Sequence, residues 1–292
     1  MAAEKTALVT GSTDGIGLVT AKNLAAKGYN VLIHGRNKDR IRSAVNKVSS
    51  FSKERSTSTS CAVPLPARDL STVAGTEQLA VDVLAACQEQ NLSLDVLMNN
   101  AGVYSEDFVL TNDGLEQTFA VNVVAPFVLT SVLLDKLLES EKGRIVIASS
   151  LSQCGRIRDW DDLSYGKRSY SAHGAYSESK LLDAMLTVEF AERLKAAGLS
   201  PEKITCNCLD PGTVNTKMLL AGWGSIGIDV EDAMDETWLC SSKEVEGSTG
   251  QYFTYRSARR ASGSAYDETE RNKLWTILAS LSPNAAQRWE YL

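Results

Sequence analysis

Tyr176 and Lys180, in Tyr176-Ser-Glu-Ser-Lys180, stand four residues apart, a spacing that puts two side chains on one helical face. A phenol that titrates near pH 10 is a poor proton donor or acceptor at neutral pH. A neighbouring ammonium favours the phenolate and pulls that value down, which is the tuning that general acid–base catalysis needs. Nine tyrosines in 292 residues make one such pair about what chance supplies, so the pair argues only in company. Its company is specific. Asn99-Asn100-Ala101-Gly102 follows a strand end, where backbone can border a ligand. Asn122, in Phe119-Ala-Val-Asn-Val, lies on a long apolar helix, as a satisfied core amide or as part of a site. Ser149 and Ser150 end a strand in hydroxyls, and alternation sends them to opposite sides without choosing between them. Pro211-Gly212-Thr-Val214-Asn-Thr216 follows a further strand.

A second chemistry sits near the start of the chain. Thr10-Gly11-Ser12-Thr13-Asp14-Gly15-Ile16-Gly17 joins a strand to a helix. Glycines there let backbone approach a pyrophosphate, while the helix N-terminus offers free N–H groups and a positive dipole end. The plain alternative is a tight strand-to-helix turn. A site for NAD(H) would carry a carboxylate about 20 residues on, gripping the ribose 2′-hydroxyl. Arg36 stands there instead, and a guanidinium suits a 2′-phosphate. NADP(H) is therefore expected in preference to NAD(H). The plain reading of Arg36 is a solvated residue at a helix start, with Asp39 nearby.

These residues need a frame. Strand-like runs at 7–10, 30–34, 62–65, 96–98, 144–148, 204–209 and 252–254 alternate with helical patterns at 16–27, 39–49, 76–89, 115–138 and 175–197. Strict alternation predicts βαβ units: one α/β domain over 1–292, a Rossmann-type doubly wound parallel sheet of about seven strands with helices on both faces. In such sheets ligands collect beyond the carboxyl ends of the strands, and the motifs above fall there or on adjoining helices. Three segments depart from the rhythm. Residues 49–60 read as a polar Ser/Thr-rich loop. Residues 151–175, with Arg156, Arg158, Asp159, Trp160, Asp161 and Asp162, read as an insertion. Residues 256–292 read as a tail. In it Asp267 and Glu270 have capping-box spacing ahead of Leu274, Ile277, Leu278 and Leu281, so it ends in an amphipathic helix that covers the sheet edge, closes as a lid, or meets a second copy.

Composition narrows the classes. A net charge of −6 argues against a nucleic-acid partner. No run of about 18 apolar residues marks an integral membrane segment. The first strand starts too early to leave room for a signal peptide, so an intracellular, cytoplasmic protein is expected. Six cysteines in such a chain are expected as reduced thiols, and with two histidines and no CxxC no metal site is expected. Cys154, four residues past Ser150, is a small buried residue or an oxidisable thiol near the site.

Across residues 6–216 the order of TGSTDGIG, NNAG, FAVN, the paired serines, YSESK and PGTVNT resembles the short-chain dehydrogenase/reductase family. The long gap between Ser150 and Tyr176 is similar to its retinol dehydrogenase-like branch, which includes the WW domain-containing oxidoreductase and plant chloroplast-import-associated reductases. Light-dependent protochlorophyllide reductases are more distantly similar. The hydrophobic N-terminal anchor of many retinol dehydrogenases has no counterpart here. The resemblance implies roles. Tyr176 would be the general acid or base, Lys180 would tune it and hold the nicotinamide ribose, Ser150 would bond the substrate oxygen, and Asn122 would position a water. Gly11, Ser12, Thr13, Asp14, Gly15, Ile16 and Gly17 would cradle the pyrophosphate, although some NADP-preferring members are basic at the position of Asp14. Arg36 would meet the 2′-phosphate, and Asp69 and Leu70 the adenine. Asn99, Ala101 and Gly102 would border the cofactor from the end of the strand at 96–98, and Pro211, Gly212, Val214 and Thr216 would lie by the carboxamide or phosphate.

The function expected is interconversion of a lipophilic carbonyl and its alcohol by hydride transfer. Its apolar pocket would be formed by Val103, Tyr104, Leu151, Met218, Leu219 and Trp223. The alternatives are a non-catalytic dinucleotide-binding redox sensor or scaffold and a sugar-nucleotide epimerase or dehydratase. Relatives often form homo-oligomers through helices corresponding to 115–138 and 175–197, a packing that the insertion and the tail could block.

Overall fold

The computed structural model describes residues 5–55 and 60–292. From the N-terminus β1 (Thr6–Val9), α1 (Gly15–Ala26), β2 (Asn30–Ile33), α2 (Lys38–Arg55), β3 (Ala62–Pro64), α3 (Val73–Glu89) and β4 (Val96–Asn99) alternate. Next, α4 (Gln117–Phe119) runs through a π turn at Ala120–Val124 into α5 (Ala125–Glu139). Then come β5 (Gly143–Ala148), α6 (Ala172–Ala196), β6 (Ile204–Leu209), α7 (Lys217–Gly222), α8 (Asp235–Ser241), β7 (Tyr252–Thr254), β8 (Ser257–Arg259), α9 (Glu268–Leu281) and α10 (Pro283–Gln287). One sheet takes in all the strands in the order β3-β2-β1-β4-β5-β6-β7-β8. It is parallel from β3 to β7, with β8 antiparallel at the edge. The strand order reverses between β1 and β4, so a crevice opens there at the carboxyl ends of the strands. β1, β2 and β4 are buried on both faces, which is why they read as apolar runs rather than alternations.

Three expectations are corrected. The sheet has eight strands, because Ser257–Arg259 folds back on β7 through Tyr255 and Arg256, both in the left-handed region. The polar loop expected at 49–60 is helical as far as Arg55, while 56–59 lie outside the described residues. Tertiary contacts carry α2 through that stretch: the Ser52 hydroxyl donates to the Ala25 carbonyl at 3.1 Å, and Lys22 of α1 lies over the Phe51 ring. The insertion ends four residues earlier than expected, since α6 begins at Ala172 with Ser171 as its N-cap.

The 117–139 helical run is long and apolar enough to cross a membrane by composition, with a mean hydropathy of 1.7, but 89% of that window is buried inside the protein. It is a core helix. The first residues of the tail form the edge strand β8, whereas its helices α9 and α10 lie across α6 and α5 rather than on the sheet edge. The Asp267 carboxylate caps α9 as its spacing predicts, and Leu274 and Leu278 are buried. Trp275 and Trp289 pack on Phe127 and Phe190, and the Trp289 indole N–H donates to Ser131 at 2.8 Å. The tail therefore covers part of α5 and α6, the helices through which relatives often pair. Cys206 and Cys208 sit on β6 as buried thiols, raised by burial.

Candidate active site

The glycine turn after β1 is built for close approach. Gly11 and Gly15 have φ of +67° and +55°, which other residues adopt only with strain. A side-chain carbon on Gly17 would meet Asn100 at 2.3 Å and the Gly11 carbonyl at 2.6 Å. Asn100 locks the turn, its amide donating to the Thr10 carbonyl at 2.6 Å. Buried Ser12 is engaged with the His34 backbone and offers a ligand no hydroxyl. Asp14 caps α1 and accepts from the Gly15 N–H, while the N–H groups of Ile16 and Gly17 meet no acceptor among the described residues. These free donors at a helix N-terminus fit a pyrophosphate. The Asp14 carboxylate beside them is paired across the crevice with Lys217 of α7, which holds it below the usual carboxylate range despite some burial.

At the far end, Arg36 is exposed beyond β2, and Arg40 on the first turn of α2 lies close enough to act on Asp14. Sequence reading missed Arg40, one helical turn past Arg36. It also missed His34, buried beneath the turn. The His34 Nδ1 accepts from the Gly11 N–H at 3.2 Å and its Nε2 faces the Arg68 carbonyl at 3.2 Å. Burial pushes this imidazole down to about 4, so it is neutral with its proton on Nε2. Asp69 is exposed and closes a local turn onto the Ser71 N–H, with Leu70 buried behind it. The Asn99 side chain turns into the core toward Thr130, leaving only backbone to border a ligand. Ala101 and Gly102 line the crevice, their backbone anchored through Thr10 and lying beside Asn122.

Tyr176, Lys180 and Ser150 come together at the ends of β5 and α6. The Lys180 Nζ lies 5.6 Å from the Tyr176 ring centroid, and the Ser150 hydroxyl lies close enough to favour the ionised phenol. Ser149 is spent elsewhere, its hydroxyl donating to the Lys180 carbonyl at 2.7 Å, so the second serine is the one that faces the phenol. Asn122 sits in the π turn, a distortion frequent at functional sites. Its amide brackets Val103, accepting from the N–H at 2.8 Å and donating to the carbonyl at 3.1 Å, and it reaches Ser179 at 3.0 Å rather than Lys180. The expected tuning of the phenol is only partly realised. Burial pushes Tyr176 above 10; Lys180 and Ser150 pull it back without overcoming burial. Burial also opposes the Lys180 charge, but Asp183, Tyr176 and Glu236 outweigh it and keep the ammonium on.

Aromatic rings wall this site. Tyr104 packs on Trp223 with centroids 5.0 Å apart and on Tyr176 at 5.8 Å, and its hydroxyl meets His173 Nδ1 at 2.7 Å. Trp223 stands 5.4 Å from the Tyr176 ring. The segment after β6 is positioned by Asp210, which accepts from the N–H groups of Leu151 and Gly212. Pro211 and Gly212 carry the turn, Val214 is buried against Ile228, and the Thr216 hydroxyl caps α7. The Thr216 methyl faces Gly15 across the crevice, and Met218 lies by Gly102. No residue of α7 is buried, and Leu151, Leu220, Ile226 and Ile228 are exposed around the opening. Burial raises the Cys154 thiol to about 11, which leaves it protonated and unreactive at neutral pH.

The insertion braces α6 from behind. Asp162 accepts from the N–H groups of Gly166, Lys167 and Arg168. Arg168 stacks on Tyr165 and grips the buried Glu178 carboxylate with both terminal nitrogens. Glu178 lies between Tyr176 and Lys180, so this pair fixes the rotation of α6 about its axis. Trp160 ties the insertion to the tail through Glu270 at 2.9 Å.

Residues 5–222 match the family described as short chain dehydrogenase. Human retinol dehydrogenase 14 is 34% identical over 300 residues, covering 94% of this chain and 84% of that protein. Human polyprenol dehydrogenase is 31% identical over 289 residues, covering 94% and 83%. A solved short chain dehydrogenase from Escherichia coli CFT073, complexed with NADPH, superposes with a TM-score of 0.65 at 25% identity over 86% of this chain and 96% of its own. With a Rossmann-type sheet, a glycine turn at its switch point and a Tyr–Lys–Ser cluster beside it, the chain belongs to the short-chain dehydrogenase family, in its retinol dehydrogenase-like branch.

Proposed function

We propose that this oxidoreductase uses NADP(H) to interconvert a lipophilic carbonyl compound and its alcohol. The observation that carries the reading is the convergence of the Tyr176 phenol, the Ser150 hydroxyl and the Lys180 ammonium beside a glycine turn with two free N–H groups. Ile16 and Gly17 would hold the pyrophosphate, Arg36 and Arg40 the 2′-phosphate, and Asp69 and Leu70 the adenine. Ala101, Gly102, Pro211, Gly212, Val214 and Thr216 would line the remainder, and Lys180 would hold the nicotinamide ribose. When bound, the nicotinamide supplies or takes up the hydride.

The chain's own residues handle the proton. In reduction Tyr176 gives its phenolic proton to the substrate oxygen, and in oxidation it takes the alcohol proton. Ser150 donates to the same oxygen as charge develops there. Two of the three Lys180 N–H groups are held by the Ala148 carbonyl and Asp183, leaving one to turn toward the reacting groups. Tyr104 and Trp223 shield the phenol from water. The apolar rim favours a lipophilic substrate, and the similarity to retinol and polyprenol dehydrogenases points to isoprenoid alcohols.

The test follows NADPH and NADH consumption across retinal, polyprenal, steroid ketones and short aldehydes, and the reverse reaction with the matching alcohols. NADPH-linked turnover that falls by about 10²–10⁴ in Tyr176→Phe is expected. Cofactor binding with no turnover above that variant on any substrate would instead favour a redox-sensing role.

A further inference from the structure

Asp183 lies one turn past Lys180, buried and wholly inaccessible, and the Tyr–Ser–Lys chemistry makes no use of it. One of its oxygens accepts from Lys180 Nζ at 2.9 Å; the other, also buried, has no partner among the described residues. A half-satisfied buried carboxylate is costly, and nothing in the packing of α6 demands one, since the Thr187 hydroxyl bonds the Asp183 backbone rather than its side chain. What the carboxylate does is act on the lysine. With the Ala148 carbonyl at 2.8 Å it fixes two of the three ammonium donors and so sets where Nζ points. Its negative charge also sits beside the positive charge that is meant to ease ionisation of the phenol.

Resting on the oxidoreductase reading, we propose that Asp183 is a positioning residue of the proton-transfer step: its carboxylate anchors the Lys180 ammonium and offsets part of that charge at Tyr176. The other groups that act on the pair lie on every neighbouring element. Ser150 at the end of β5 favours the ionised phenol, Asp210 at the end of β6 adds a second negative charge, and Glu236 on α8 acts on Lys180. Cys208 on β6 stays a neutral thiol, and Tyr104 contributes only its ring. Burial raises Asp183 itself to about 6 against the pull of Lys180, so the offset is fully present above neutral pH.

Asp183→Asn keeps an acceptor for Nζ and removes the charge. Ultraviolet difference titration of the ligand-free protein, with Tyr176→Phe as the reference, reads the Tyr176 phenol directly and needs no substrate. The phenol should ionise about one pH unit lower in the Asn variant. The pH profile of alcohol oxidation should move to acid by the same amount with its plateau retained. Where Asn is not tolerated in the fold, Asp183→Ser removes the same charge and serves in its place. Titration curves that coincide with the parent overturn the proposal, as does a change in rate with no movement on the pH axis. Failure of the function itself is a separate result: no substrate would turn over while the phenol still shifted.

Discussion

Acidification should destabilise this protein through one imidazole buried beneath the glycine turn. His34 is 2% exposed, accepts from the Gly11 N–H and faces the Arg68 carbonyl with its protonated nitrogen. A second proton on Nδ1 would confront the Gly11 N–H with no acceptor. Burial accordingly takes the group from 6.5 to about 4. In the unfolded chain His34 binds its proton as the pH falls through 6.5, while the folded chain resists until about 4. The unfolded state therefore holds more protons in that window, and stability is lost on going down through it. The differential amounts to about 3 kcal/mol. Carboxylates titrate in the same range, so the measurement is a comparison. Urea unfolding of the parent and of His34→Gln, whose amide can meet both partners without titrating, is followed between pH 7 and pH 4. The Gln variant starts out less stable, and its deficit should shrink by about 3 kcal/mol across the window. Parallel curves would refute the assignment of a neutral, buried His34.

Two further outcomes test the bracing around the site. Arg168→Ala leaves the Glu178 carboxylate buried without its partner and should cost about 3 kcal/mol by chemical denaturation, with much of the loss recovered in the Arg168→Met, Glu178→Gln double variant; equal losses in both would sink the ion-pair account. Trp289→Ala removes a ring stacked 4.9 Å from Phe190 and should cost about 3–5 kcal/mol in the same assay, with an unchanged result meaning that the tail docks without contributing to stability.

The glycine turn, the Tyr–Lys pair and the alternation of strands with helices were legible in the sequence because each depends on local spacing. β8 was not, since Ser-Ala-Arg carries no strand pattern and its hairpin turns on Tyr255 and Arg256 at positive φ, where glycine or asparagine would be the signal. The end of α2 was misread for the converse reason: its serines look like a loop, yet Ser52 and Phe51 are held by α1. Asn99 and Asn100 exchange the importance that a motif assigns them, as only the second touches the turn. His34, Asp183 and the Arg168–Glu178 grip were invisible because buried polar partners far apart in sequence leave no periodic mark. The choice of Ser150 over Ser149 came from the resemblance, and the Ser149 bond to the Lys180 carbonyl supplies its physical reason.

The tail's position carries a consequence for biosynthesis. Chains emerge from the ribosome N-terminus first, and domains tend to fold as they appear. The patch of Phe127 and Phe190 that Trp275 and Trp289 cover is made from segments translated well before its cover. Among the described residues the rings that close over this patch come from Trp275 and Trp289, so a nascent chain shows that apolar face until both have been made. A transcript cut short before Glu268 yields a product that never hides it, and such products are natural clients for chaperones and proteases.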